Sequence, residues 1–117
     1  MKLIYWIPLI FFTAVIGIII FDRKEVDADY DLFAQCLTEK GFTMYGAEWC
    51  PHCKNEKNAF GDSFKYVEYV ECPDNPKECL EKGINGYPTW ITGEGEKLEG
   101  ERGVEKLSEK SGCKLQN

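Results

Sequence analysis

Cys50-Pro51-His52-Cys53 places two thiols three positions apart. On a helix that spacing brings both sulfurs onto one face, one turn apart and close enough to join as a disulfide. Cys50 stands where a β-prone run, Phe42-Thr43-Met44-Tyr45 closed by Gly46, gives way to a helical stretch from Cys50 to Phe60. Pro51 fits the first helical turn and Gly61 stops the helix. Unpaired N–H groups and the positive end of the helix dipole at such a junction favour Cys50 as a thiolate, which makes it a nucleophile. Cys53, one turn further in, is placed to displace whatever Cys50 captures. His52 is the single histidine of the chain and adds a cation or hydrogen-bond donor beside the Cys50 sulfur. Stabilising the thiolate stabilises the reduced pair, so the disulfide becomes a stronger oxidant. The plainer reading of His52 is an exposed side chain with no redox role.

The chain carries six cysteines in 117 residues, which points to an oxidising compartment, a metal site or catalytic thiols. Cys72 and Cys79 close a short loop containing Pro73 and Pro76, feasible for a disulfide if their Cα atoms approach within about 7 Å. Cys36 lies beside an apolar helical stripe and Cys113 follows the last helix; they are free or paired with each other. Six cysteines permit fifteen pairings, and the spacing alone does not choose among them. Cys50, Cys53, Cys72 and Cys79 also supply four thiolates, enough for a structural zinc. Yet the second pair is spaced wider than a zinc knuckle, and Cys50 and Cys53 open a helix. A Cu(I)-binding module is the reading from another class, disfavoured by the lack of an added Met or His cluster. A redox-inert interaction domain leaves the intact C-x-x-C without a purpose. No carboxylate pair, phosphate loop or Ser/His/Asp arrangement is present, and a Cys–His hydrolase would need His52, only two residues from Cys50.

The elements that must hold these residues follow from periodicity. Tyr30, Phe33, Ala34 and Leu37 form one helical stripe ended by Gly41. After the helix from Cys50 to Phe60, Tyr66 to Glu71 reads as a strand, Pro76 to Lys82 as a short helix and Tyr87 to Thr92 as a third strand. The turn Gly93-Glu94-Gly95-Glu96 leads to a fourth strand around Lys97-Leu98-Glu99, and Val104 to Ser111 closes as a helix capped by Gly112. The order is a helix, then β-α-β-α-β-β-α: an α/β fold with a four-stranded mixed sheet, the β-α-β unit parallel and the last hairpin antiparallel. Phe60 and Phe64 are core residues, and alternation puts either Tyr87 or Trp90 of the third strand inside. Trp49 either borders the surface around Cys50 or simply packs. Gly86-Tyr87-Pro88-Thr89 opens that third strand with a proline, which sheets accept only at a start or an edge. A cis Tyr87–Pro88 bond would lay its loop against Cys50 and Cys53 and offer backbone groups to a substrate chain, although only about 5% of X-Pro bonds are cis.

Leu3 to Phe21 carries no charge. As a helix it would span about 28 Å, close to the bilayer hydrocarbon thickness. Tyr5 and Trp6 sit near one end, and the run ends Ile18-Ile19-Ile20-Phe21-Asp22 with no small-x-small cleavage site. Residues 1–21 are therefore expected to be an uncleaved transmembrane signal anchor, with a cleaved signal peptide as the rival. Residues 22–29 are a charged linker and residues 30–117 the folded domain. Positive charges flank both ends of the run almost equally. A domain on the extracytoplasmic side of the cytoplasmic membrane accords with the anchor's position and the cysteine load. All 20 acidic residues, and every basic residue except Lys2, lie beyond Phe21, so the domain is more acidic than the chain's net −6. That charge repels phosphate backbones and argues against nucleic acid as a partner.

Ala47-Glu48-Trp49-Cys50-Pro51-His52-Cys53, followed by a strand, a helix and Gly86-Tyr87-Pro88-Thr89-Trp90, resembles the thioredoxin superfamily. With Met44-Tyr45-Gly46-Ala47 ahead of it and Tyr69-Val70-Glu71-Cys72 behind, the chain is most similar to the thioredoxin-like domain associated with bacterial vitamin K epoxide reductase homologues. The resemblance runs from about Phe33 to Cys113. It implies a thioredoxin-like fold, Cys50 as nucleophile, Cys53 as resolving thiol, Pro88 as a cis-proline and a Cys72–Cys79 disulfide. Pro51, His52, Trp49 and Tyr87 would support the pair, with no cofactor and no metal. Protein thiols or disulfides would be the substrates, and a quinone-linked vitamin K epoxide reductase homologue in the membrane a partner. Oxidative disulfide formation is the favoured direction, with a reductase of the cytochrome c maturation type as the alternative. Thioredoxins proper carry a buried acid six residues before the first catalytic cysteine, where this chain has Met44. The proton of Cys53 must then go to Glu48, water or another group.

Overall fold

Phe33, Ala34 and Leu37 are buried on one side of the first helix, α1 (Asp31–Glu39), as the apolar stripe requires. They press it onto a core that the computed structural model, which describes residues 29–115, builds around a single sheet. The expected anchor at 1–21 and nearly all of the linker at 22–29 lie outside the described residues. Among the described residues no helix is long and apolar enough to cross a membrane.

Strand β1 (Thr43–Gly46) leads into helix α2 (Pro51–Phe60), then through a 3₁₀ segment (Gly61–Tyr66) to β2 (Glu68–Glu71). Helix α3 (Pro76–Glu81), β3 (Thr89–Ile91), β4 (Lys97–Glu99) and helix α4 (Gly103–Ser111) follow. The sheet order is β2-β1-β3-β4. β1 pairs with β2 in parallel, with Gly46 opposite Glu71, and antiparallel with β3, where Met44 faces Trp90. β3 and β4 form the expected antiparallel hairpin. The mixed sheet and element order fit a thioredoxin-like fold.

Two strands start two residues later than the sequence expectation. The second strand begins at Glu68 rather than Tyr66, because the chain leaving α2 tightens into the 3₁₀ segment and takes Tyr66 with it. The third begins at Thr89 rather than Tyr87: Tyr87 and Pro88 precede the ladder, and proline has no N–H to lend it.

The core is an aromatic run through the layers. Phe33 of α1 stacks on Phe60 of α2 at a centroid separation of 5.7 Å, and Phe60 lies 6.1 Å from the ring of Trp90. Trp90 is fully buried, whereas Tyr87 and Phe64 are only partly so.

Two disulfides tie this frame. Cys72–Cys79 joins the end of β2 to α3, as the resemblance implied. Cys36–Cys113, the pairing left open by spacing, joins α1 to the segment after α4 across 77 residues, with Cα atoms 5.9 Å apart. In the chain-entropy account, a loop that long stabilises the fold by about 4.5 kcal/mol, against about 2.5 kcal/mol for the short Cys72–Cys79 loop. The Cys36→Ala/Cys113→Ala double variant is expected to lose more unfolding free energy in urea than Cys72→Ala/Cys79→Ala. The reverse order would show that local strain or residual structure, not loop length, sets their contributions.

Candidate functional site

Cys50 is the N-cap of α2, with extended backbone (φ −74°, ψ 121°), and Pro51 occupies the first turn where no N–H is needed. The cap geometry aims the backbone N–H of Cys53 at the Cys50 sulfur, which accepts it at 3.4 Å. This is one of the helix-end donors that intrahelical bonding leaves free. On its other side the Cys50 thiol donates to the Tyr87 carbonyl at 3.6 Å. The Tyr87–Pro88 peptide is cis, and the Tyr87 carbonyl contact puts the loop before β3 against Cys50. Both cysteines are free thiols, Cys50 with 5% of its surface exposed and Cys53 with none. Attack from outside must therefore come through Cys50.

Burial, and next the hydrogen bond that the Cys53 thiol gives to Cys50, push the Cys53 thiol up to about 12. A backbone hydrogen bond from Ala47 and the charge of Lys57 oppose this without reversing it. At neutral pH the inner sulfur thus keeps its proton, the division of labour that an attacking and a resolving thiol require.

Trp49 is 67% exposed beside Cys50, and its ring meets the Tyr87 ring edge-on at 5.9 Å. Of the two readings for Trp49, the structure gives the surface one. His52 is also at the surface, its side chain 71% exposed, and Nδ1 donates to the Glu101 carboxylate at 2.7 Å. Asn55 donates to the same oxygen at 3.0 Å, and these contacts hold the Glu101 carboxyl below its usual range. The sequence placed His52 as a cation or hydrogen-bond donor beside the Cys50 sulfur. Here its Nδ1 faces an acid 49 residues away, and the N–H on the Cys50 sulfur is that of Cys53.

Cys72 and Cys79 are consumed by their disulfide, so the four-thiolate zinc set cannot assemble in this form. Among the described residues no cluster of three or more His, Cys, Asp or Glu side chains is arranged to hold a metal.

Sequence reasoning missed two acids. Glu56, one turn beyond Cys53, is 1% exposed. Its carboxylate accepts from Trp90 Nε1 (3.2 Å), Arg102 N–H (2.8 Å) and Gly103 N–H (2.7 Å), pinning α2 to β3 and to the start of α4. The signal was its position on the same helical face as Cys53 and Phe60. Glu71 accepts from the Tyr69 hydroxyl on one oxygen and from the Glu48 N–H on the other (2.8 Å), bracing the turn that precedes Cys50.

No family model matches the chain. It is similar to the thiol-disulfide oxidoreductase LTO1 of Arabidopsis thaliana, 40% identical over 106 residues that take in 80% of this chain. The chain spans 28% of that relative's length. The match supports a thiol–disulfide oxidoreductase of thioredoxin-like class.

Proposed function

We propose that the chain is a protein thiol–disulfide oxidoreductase in which Cys50 is the nucleophile and Cys53 the resolving thiol. The observation that carries this is the helix cap: the Cys53 N–H on the Cys50 sulfur at 3.4 Å, with the inner thiol buried and protonated behind it. In the oxidising direction a substrate thiolate attacks the Cys50–Cys53 disulfide at Cys50. The Cys50–substrate bond forms, and Cys53 leaves with the electron pair and takes up a proton. A second substrate thiolate then attacks the substrate sulfur of that bond. The substrate leaves as a disulfide, and the protein keeps both electrons as a dithiol. The reducing direction runs the same steps backwards. Pro88, Tyr87 and exposed Trp49 border the approach to Cys50 and are its proposed substrate-facing support.

Oxidation of substrates is the direction we favour. Two disulfides in so small a domain suit an oxidising compartment. The uncharged run at 3–21 supports a membrane tether with the domain on the extracytoplasmic side of the cytoplasmic membrane. A quinone-linked membrane protein of the vitamin K epoxide reductase type would then accept the electrons. Equilibration of the Cys50–Cys53 pair with glutathione tests the direction. A potential more positive than about −200 mV is expected, and one near about −270 mV, the range of thioredoxin, would reject oxidation in favour of reduction.

His52 tunes this equilibrium through charge. Its Nδ1 donates to the Glu101 carboxylate at 2.7 Å and offsets part of that negative charge. His52→Ala takes that donor away and leaves the carboxylate with Asn55 alone at the first turns of α2, where added negative charge disfavours a thiolate at the cap. The same titration should move by a few tens of millivolts towards more reducing values. An unchanged potential would remove His52 from the redox machinery.

A further inference from the structure

A dithiol with a buried inner sulfur must move a proton each time that sulfur enters or leaves a disulfide. The position that carries a buried acid in thioredoxins is Met44 here, apolar and fully buried. Glu48 is exposed, and its backbone is held by Glu71.

What faces Cys53 instead lies on β2. A Cβ built on Gly46 would stand 2.9 Å from the Cys53 sulfur, 3.2 Å from Cε2 of Tyr69 and 3.4 Å from the Tyr69 hydroxyl. The sulfur and the hydroxyl thus lie within 3.4 Å of one point, which is open only because residue 46 has no side chain. The Tyr69 hydroxyl donates to Glu71 Oε1 at 2.5 Å. Glu71, two residues on along the same strand, is only partly buried and reaches solvent. Lys57, one turn beyond Cys53 on α2, closes the cluster with its ammonium 4.0 Å from the Tyr69 ring centroid. The titratable groups around Cys53 are Cys50 and Lys57 from α2 with its cap and Tyr69 from β2, with Glu71 behind Tyr69.

We propose that Tyr69 and Glu71 are the proton relay of Cys53, carrying its proton across the gap left by Gly46 and out to solvent. The relay rests on the dithiol reading above and adds its missing proton path. In the resolving step Cys53 attacks Cys50 in a mixed disulfide. The Cys50–Cys53 bond forms, the bond from Cys50 to the substrate sulfur breaks, and the substrate leaves as a thiolate with the electron pair. The dithiol is oxidised and the substrate disulfide reduced. As the new bond forms, the Cys53 proton passes to the Tyr69 oxygen and the Tyr69 proton passes to Glu71. Burial, then the bond to Glu71, hold the Tyr69 hydroxyl far above its ordinary range, so it works as a protonated relay and not as a resident base. Both residues act through the proton of another and are positioning residues for Cys53.

The test is reaction of the reduced protein with one equivalent of an aromatic disulfide whose thiol is chromogenic. The first release reports attack by Cys50 and the second reports resolution by Cys53. Tyr69→Phe keeps the ring against Phe64 and under Lys57, and Glu71→Gln keeps an acceptor for the Glu48 N–H. In both variants the first release is expected to hold its rate, while the second slows about 10- to 100-fold near neutral pH. The pH profile gives the sign. With Cys53 held up to about 12, its free thiolate grows tenfold per pH unit across the neutral range. The variants should follow that slope and approach the parent rate at high pH, whereas the parent rises less steeply. A purely structural loss would slow both releases and leave the slope alone. Two releases with an unchanged second phase in both variants would overturn the relay. A parent protein that releases one equivalent only would overturn the dithiol reading itself.

Discussion

Cys50→Ser is expected to abolish disulfide exchange, lowering turnover of a protein substrate by at least about 1,000-fold, because a hydroxyl in that cap is neither an anion nor a disulfide partner. Cys53→Ser should fail differently. Its Cys50 still attacks and still receives the N–H of residue 53, but nothing displaces the captured substrate, so mixed disulfides accumulate and survive non-reducing electrophoresis. The asymmetry follows from access, since of the two active-site cysteines only Cys50 has exposed surface. Near-parent turnover in Cys50→Ser, or trapping by that variant in place of Cys53→Ser, would invert or dismiss the assignment.

The second large effect is on stability. Glu56→Ala leaves the Trp90 indole N–H and the first two amides of the α4 turn without their acceptor. Each orphaned donor costs about 1–3 kcal/mol, so the variant should lose about 3–5 kcal/mol. For a domain of this size that is a fall in Tm of about 15 °C or more. Glu56→Gln, which keeps an oxygen and the shape but loses the charge, should recover part of it. If Glu56→Ala melted within about 2 °C of the parent, these three bonds would be spectators of the fold.

Much of this arrangement was readable beforehand, for reasons that are local. Cys50, Pro51 and Gly61 are neighbours of the helix they cap and stop, and Gly93 to Glu96 spells its hairpin turn over four residues. The pattern gave the parallel pairing of β1 and β2 because a strand, helix and strand in succession have one favoured handedness. What escaped was long-range or disguised. The bond from His52 to Glu101 spans 49 residues, and no spacing rule connects a loop acid to a helix N-terminus that distant. The spacing of six cysteines allows fifteen pairings, and only the fold brings Cys36 of α1 against Cys113 in the segment after α4. Glu56 was disguised by its type, since a glutamate in a helix ordinarily faces water. Its i+3 relation to Cys53 and its i−4 relation to Phe60 marked it as inward-facing. Tyr69 and Glu71 were legible as alternate residues on one side of a strand, but their target required knowing that Gly46 lies between them and the sulfur.

The Cys36–Cys113 bond has a mechanical meaning as well. It closes a covalent ring around the sheet, α2 and both active thiols, leaving outside it only the chain before Cys36 and the tail after Cys113. Tension applied to those two flanks would be borne by one sulfur–sulfur bond and never reach the strands. A domain so wired can be tugged by whatever holds its ends while the ladder that aims Cys50 stays slack.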